Sequence, residues 1–206
     1  MSEFLGKPGP NYRTGINWQR VELSYLELAS HTTTHTLDLL SRLITLAREN
    51  TWIAGGFVRA LLENSDNYTD IDIYCDNLMT RDHHINILSR AAAPGENNTL
   101  VIAEGQVLQL TKLFFKSIEE VLDSFDFTVC QFGIDLHTWE LVYNPAGLID
   151  LVRHRLIEHR VSRDPEKHKL RIEKYNKKGF YLEGQTPTTY TTSRHNSSTL
   201  VRLSSI

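Results

Sequence analysis

Apolar positions Leu37, Leu40, Leu43, Ile44 and Ala47 recur at helical spacing between Thr36 and Asn50, so this stretch is expected to be an amphipathic helix, with Arg48 placed to favour the negative end of its dipole. Thr51-Trp52-Ile53-Ala54 then reads as a short buried strand, stopped by Gly55-Gly56, and Phe57 to Leu62 as a helix that begins on those glycines. After a polar loop, Asp70 to Cys75 alternates strictly: Asp70, Asp72 and Tyr74 share one face of a strand, and Ile71, Ile73 and Cys75 the other. Arg81 to Ala92 is expected as a surface helix, Pro94 to Asn98 as a loop, and Thr99–Ala103 with Val107–Phe115 as a hairpin across Glu104-Gly105-Gln106. Ser117 is placed to cap a short helix reaching Ser124, and Phe127–Leu136 with Trp139–Tyr143 makes a second hairpin around His137-Thr138.

The ends differ from this middle. Residues 1–35 read as an N-terminal arm, rich at first in Gly, Pro and polar groups, either mobile or docked. Residues 36–152 form the head, residues 153–183 a basic helical segment and residues 184–206 a Ser/Thr-rich tail. Between Arg153 and Lys178 stand ten of the 22 Lys and Arg residues against four acids, a local net of +6 in a chain whose formal charge is −3. The charge balance therefore excludes nucleic-acid binding by bulk charge and leaves one local patch, with Arg163, Lys167, Lys169, Arg171 and Lys174 as candidate phosphate contacts. The same segment has a second reading as a solvated helix face, with Asp164-Pro165-Glu166 starting the helix and Leu170, Ile172 and Tyr175 partly buried. Two cysteines, Cys75 and Cys130, are too few for a disulfide scaffold and sit in apolar surroundings as small hydrophobes. With no apolar run of 18 residues and no leader-like segment, a cytoplasmic protein without a membrane partner is expected.

Candidate chemistry gathers around the alternating strand. Carboxylates at i and i+2 of a strand point the same way, at a separation suited to hard divalent cations, whereas two like charges on a sheet are costly without compensation. Asp70 and Asp72 are thus the candidate metal ligands and catalytic pair, for Mg²⁺ or Mn²⁺. Upstream, Gly55 and Gly56 let backbone approach a phosphate, the following helix start offers free N–H groups, and Arg59 adds a cationic fork.

Trp52-Ile53-Ala54-Gly55-Gly56-Phe57-Val58-Arg59, followed by Thr69-Asp70-Ile71-Asp72-Ile73-Tyr74, resembles the G-G-x-x-R and D-x-D signature of the DNA polymerase beta-like nucleotidyltransferase superfamily. The subtype it resembles is the head domain of CCA-adding enzymes and bacterial poly(A) polymerases, and it is also similar to small phage-encoded nucleotidyltransferase-like proteins. Phe125-Asp126-Phe127-Thr128 resembles that family's R-R-D-F-T motif in its Asp, Phe and Thr, which implies Asp126 as a nucleotide-binding residue, while Ser124 and Phe125 stand where the arginines would be. A third carboxylate of the wider superfamily corresponds here to Gln109, with Glu104, Asp126 or Asp135 as other sources of an oxygen.

The fold implied is α+β: a nucleotidyltransferase head with a mixed or antiparallel sheet flanked by helices, followed by the basic helical segment. The function implied is transfer of an NMP from an NTP to an acceptor hydroxyl, on RNA such as a tRNA 3′ end or on protein, with release of pyrophosphate. The alternative is a nucleotide-binding or interaction module of the same fold with weak or absent catalysis, which Gln109 and Phe125 would permit. About 70 residues after Asp135 are too few for the neck, body and tail helices of a CCA-adding enzyme.

Overall fold

A computed structural model describes residues 6–23, 34–88, 92–103 and 105–183. The tail at 184–206, Glu104 and part of the expected arm lie outside the described residues. In chain order the elements are β1 (Lys7–Pro8), β2 (Gln19–Glu22), α1 (Thr34–Leu46), β3 (Thr51–Ala54), α2 (Gly56–Leu62), β4 (Ile71–Cys75), α3 (Leu78–Leu88), β5 (Ala92–Pro94), β6 (Asn98–Ala103), β7 (Gln106–Phe114), α4 (Ile118–Asp123), β8 (Phe132–Asp135), β9 (Glu140–Tyr143), α5 (Pro145–Val152), β10 (Arg155–Leu156), β11 (Arg160–Val161), α6 (Pro165–Asn176) and β12 (Tyr181–Leu182). Eight strands form one mixed sheet in the order β2-β9-β8-β3-β4-β7-β6-β5, in which only β4 and β7 run parallel. The architecture is α+β with helices against the sheet.

One face of the sheet carries the main core. Ile53, Ile71, Ile73, Val101, Leu108 and Leu110 project from it and are covered by Leu39, Leu40 and Leu43 of α1 and by Phe57, Val58 and Leu61 of α2, all buried. Each such side chain contributes roughly 1.5–3 kcal/mol by leaving water. The opposite face is covered over only half its width. There α4 lies on Trp52, Ala54, Tyr74 and Val142 through Ile118, Val121 and Leu122. Gly133 lies close beneath it: a Cβ at that position would stand 3.0 Å from Ile118 Cδ1, so that side chain would have to give by a few tenths of an ångström. Ser117 caps α4 by accepting from the Glu120 amide. Beyond β4, on β7, β6 and β5, no described helix covers that face.

Several expectations are corrected by long-range pairing. Gln19–Glu22, within the expected arm, is an edge strand of the main sheet, paired antiparallel with β9, and Lys7–Pro8 pairs with β11. Ala92–Pro94 is the other edge strand, not the end of a helix. The helix ahead of it is not wholly a surface element: His84 is fully buried, bonded to Thr51 Oγ1 at 3.1 Å, and burial with the neighbouring His83 and Arg48 pushes its pKa down to about 4. Thr128–Cys130 is a 3₁₀ turn, so the second hairpin begins only at Phe132. Its Thr128 hydroxyl donates to buried Asp150 at 2.7 Å. Leu170 is 62% exposed, whereas Ile172 and Tyr175 pack on the core, which leaves α6 seated by one narrow side. Cys75 and Cys130 are free and buried, the latter with its Sγ 2.8 Å from the Tyr175 hydroxyl.

Candidate nucleotide site

A cleft of about 270 Å³ opens where β3 turns into α2 and where β4 begins. Its floor is built locally. Gly55 sits at φ +88°, a conformation that L side chains rarely adopt, and a Cβ there would approach the Phe125 ring to 3.3 Å. Nothing lies within 4 Å of the position a Gly56 Cβ would take, so the backbone faces open cleft at that point. Across from the glycines stand Asp70 and Asp72, with Thr69 and Tyr74 on either side in sequence.

The two carboxylates differ in their surroundings. Asp70 is held on both oxygens, accepting from the Thr69 hydroxyl at 3.0 Å and from the Gln109 amide. Gln109 is fixed in turn by Asn98, which donates to its Oε1 at 2.6 Å, and is paired in register with Asp72 across the parallel β4–β7 ladder. Gln109 therefore occupies the neighbouring-strand position foreseen for a third site group, as a neutral amide. Desolvation and the adjacent Asp70 push the Asp72 carboxyl up to about 7, against the pull of Lys174 and Arg171. Asp135 is elsewhere, accepting from Trp52 Nε1 at 3.1 Å and from the backbone of the β8–β9 turn.

The opposite wall comes from the far end of the chain. Arg171 ion-pairs with Asp126, whose side chain is buried, and Lys174 and Lys178 line the same cleft. Lys178 donates to the Asn67 carbonyl at 2.9 Å, and burial together with Arg59 and Lys174 pushes its pKa down to about 8. Of the five basic candidates, the structure brings Arg171 and Lys174 to the cleft. Arg163, Lys167 and Lys169 are exposed and not among its lining, with Lys167 3.9 Å from Asp164. Lys178 was not singled out in the sequence, since only its spacing of seven residues from Arg171 marks it as facing the same way.

Arg59 requires a correction. It is fully buried and absent from the cleft lining: Nε lies 3.6 Å from Glu63, an Nη donates to the Asn67 carbonyl at 3.1 Å, and the guanidinium sits over the rings of Tyr175 and Phe180 at 5.5 and 5.4 Å. Its cation supports the wall from behind, and the residues that enclose it follow more than 100 positions later. Phe125 likewise takes a wall position, edge-on to Tyr74, so the cation beside Asp126 is supplied by α6 and not by the preceding residues.

The donors present suit a hard divalent cation. Asp70 and Asp72 offer oxygen only, and burial together with the neighbouring Asp70 raises Asp72, a cost that a bound cation would offset. Among the described residues no group of three or more His, Cys, Asp and Glu is assembled for a metal, so a cation at this pair would take further ligands from triphosphate and water, as Mg²⁺ commonly does. A second, more open hollow of about 510 Å³ under the N-terminal segment carries Glu119, Glu120 and Asp123, all of which already bond to Arg20, the Lys116 amide and Arg160.

The fold is that of nucleotidyltransferase head domains. Solved structures of CCA-adding enzymes share the fold: that of Thermotoga maritima with tRNA matches at 20% identity and a TM-score of 0.64 over 82% of this chain and 43% of its own. A CCA-adding enzyme with CTP matches at 20% and 0.63 over 81% and 44%, and that of Bacillus stearothermophilus with CTP at 21% and 0.54 over 74% and 42%. The chain thus spans less than half the length of these structures. The chain belongs to the Gabija anti-defense 2 (Gad2) family, whose model matches residues 24–154, well over half of it. No curated protein matches it in sequence. Among the described residues no helix is long and apolar enough to cross a membrane.

Proposed function

We propose that this chain is a metal-assisted nucleotidyltransferase that moves an NMP from an NTP to an acceptor hydroxyl. The observation that carries the reading is the placement of Asp70 and Asp72 opposite the open backbone of Gly55-Gly56, with Arg171, Lys174 and Lys178 on the third side. A triphosphate needs close backbone approach and cations, and the cleft offers both. Bound Mg²⁺ or Mn²⁺ would be held by Asp70 and Asp72 and would supply charge neutralisation for the triphosphate. Gly55 and Gly56 admit the phosphates, Lys174 and Lys178 hold them, and Arg171 keeps Asp126 oriented toward the nucleotide. The acceptor oxygen bonds to the α-phosphorus, the bond from that phosphorus to the α–β bridging oxygen breaks, and pyrophosphate leaves with the electron pair. The hydroxyl proton passes to a carboxylate of the site and then to water.

CCA-adding neighbours solved with CTP, ATP and tRNA support an NTP as donor and RNA as one acceptor class. The family description supports a role against Gabija defence. One observation favours the second reading, an NTP-binding module without turnover: the amide of Gln109 where a carboxylate would complete a triad. Incubation with each NTP radiolabelled on the α-phosphate, Mg²⁺ or Mn²⁺, RNA and protein separates the two. Label transferred by the native chain and not by Asp70→Ala or Asp72→Ala supports the enzyme; metal-dependent NTP binding with no transfer supports the module.

A further inference from the structure

The half of the sheet that no described helix covers, beside Asp70 and Asp72, is continuous with the site. Register places Asp72 next to Gln109, Gln109 next to Leu100, and Leu100 next to Ala93, all on one face. Two further pairs flank this row on the same face, Asn98 with Thr111 and Ile102 with Val107. Beyond Asp72 none of these side chains is ionisable. Ile102 is 71% exposed and Leu100 38%, although both are apolar and β-branched or γ-branched residues that would ordinarily be buried in a strand. The nearest cation on these strands, Lys112, lies on the opposite face and donates to the Gly95 and Glu96 carbonyls, so it does not change the charge of the shelf.

A nucleic acid held along this face would set a phosphate against uncharged and apolar groups, whereas nucleic-acid contacts are dominated by Lys and Arg. Among the described residues the cations that line the cleft, Arg171, Lys174 and Lys178, are on the other side of the aspartate pair, where the triphosphate is proposed to lie. Gln109 extends the same logic: as an amide it adds no third negative charge, and it ties the shelf to Asp70 through one hydrogen-bonded link on each side. Resting on the nucleotidyltransferase reading, we infer that the shelf formed by Leu100, Ile102 and Val107 seats the acceptor, and that the acceptor is a polypeptide that presents a Ser, Thr or Tyr hydroxyl to Asp70, not an RNA. The side chain gains an NMP through a new bond from its oxygen to the α-phosphorus, pyrophosphate departs, and the hydroxyl proton is lost to water.

The test uses the full chain with Mg²⁺ or Mn²⁺, each NTP labelled on the α-phosphate, and two acceptors in separate reactions: a bacterial protein extract freed of nucleic acid, and protein-free total RNA. NTP binding is measured in parallel by titration of the chain with metal and NTP alone. The expected result is label on protein, lowered at least about tenfold by Leu100→Lys or Ile102→Lys because a charge is forced into an apolar contact, with NTP binding unchanged. Ile102→Thr keeps a β-branched residue in the strand and should lower transfer less, which separates loss of the apolar contact from loss of the fold. Label on RNA alone overturns the inference, as does protein labelling indifferent to both lysine variants, or NTP binding with no label on protein. Absence of metal-dependent NTP binding is a different result, since it removes the nucleotidyltransferase reading itself.

Discussion

On one side of Asp70 and Asp72 the cleft is closed by Arg171, Lys174 and Lys178; on the other the sheet runs out into Leu100, Ile102 and Val107, with no charged side chain on that face of its strands among the described residues. The two flanks differ because they are made differently. The cationic flank is a helix seated late in the chain on a narrow apolar side, while the neutral flank is the plain continuation of the sheet. Such an asymmetry suits two ligands of unlike chemistry meeting at one strand, a polyanionic donor and an uncharged acceptor. A site for two nucleic-acid ligands would carry cations on both flanks.

The largest effect is expected at the seam. Asp70→Ala or Asp72→Ala should lower transfer on the order of a hundred- to a thousandfold while circular dichroism remains native, because electrostatic support of the reacting phosphate is lost. Retained transfer would remove the seam from the comparison. On the cationic flank, Arg171→Ala leaves Asp126 buried and unpaired, so NTP affinity should fall about tenfold and stability by about 1–3 kcal/mol in denaturant titration. The same substitution should leave affinity for an acceptor protein unchanged, and a loss there would blur the division between flanks.

The pH dependence isolates the carboxylate pair from both flanks. Asp72 has a native pKa of about 7, above its unfolded value of about 4, so the native state binds the extra proton in that window. Its contribution to stability is present at acid pH and is lost as pH rises through about 7. Asp72→Asn should therefore stabilise the metal-free chain at about pH 8 by about 1–2 kcal/mol, once solvent screening is allowed for, and change little at about pH 4. Thermal unfolding at the two pH values checks this, and Mg²⁺ should reduce the difference by occupying the native pair. The smallest effect is expected from Gln109→Glu, which adds a charge beside Asp70: metal affinity should rise by about threefold, with a metal-free stability loss of about 1 kcal/mol.

What the sequence made legible is what is local in the chain. Alternation in Asp70–Tyr74 sets both carboxylates on one face whatever the rest of the fold does, and Gly55 marks a turn that a side chain would strain. Ser117 and Asp164 are recognisable as caps for the same reason, since each bonds to amides two or three residues on. Partners far along the chain leave no such mark. Arg20 meets Glu140 across 120 positions, so Gln19–Glu22 reads as arm until its strand partner is known. Arg59 looks like a free fork because the rings that enclose it belong to Tyr175 and Phe180, and the ion pair of Asp126 lies 45 residues away at Arg171. The resemblance to CCA-adding heads led to the fold, and the fold is shared with those structures; it led also to a phosphate-facing Arg59, which the packing does not allow.

The order of synthesis gives the cationic helix a further role. About 100 residues separate the aspartate strand from α6, an interval of roughly 5–20 s on a translating ribosome. Once β7 has been made the head can pair β3, β4 and β7, yet its two carboxylates have no counter-charge from α6, and Arg59 has no rings to enclose it. Completion of the cleft waits on α6, and closure of the β1–β11 clamp on the strand just ahead of that helix. The nascent head therefore lacks the cationic wall of the cleft until most of the described chain has been made.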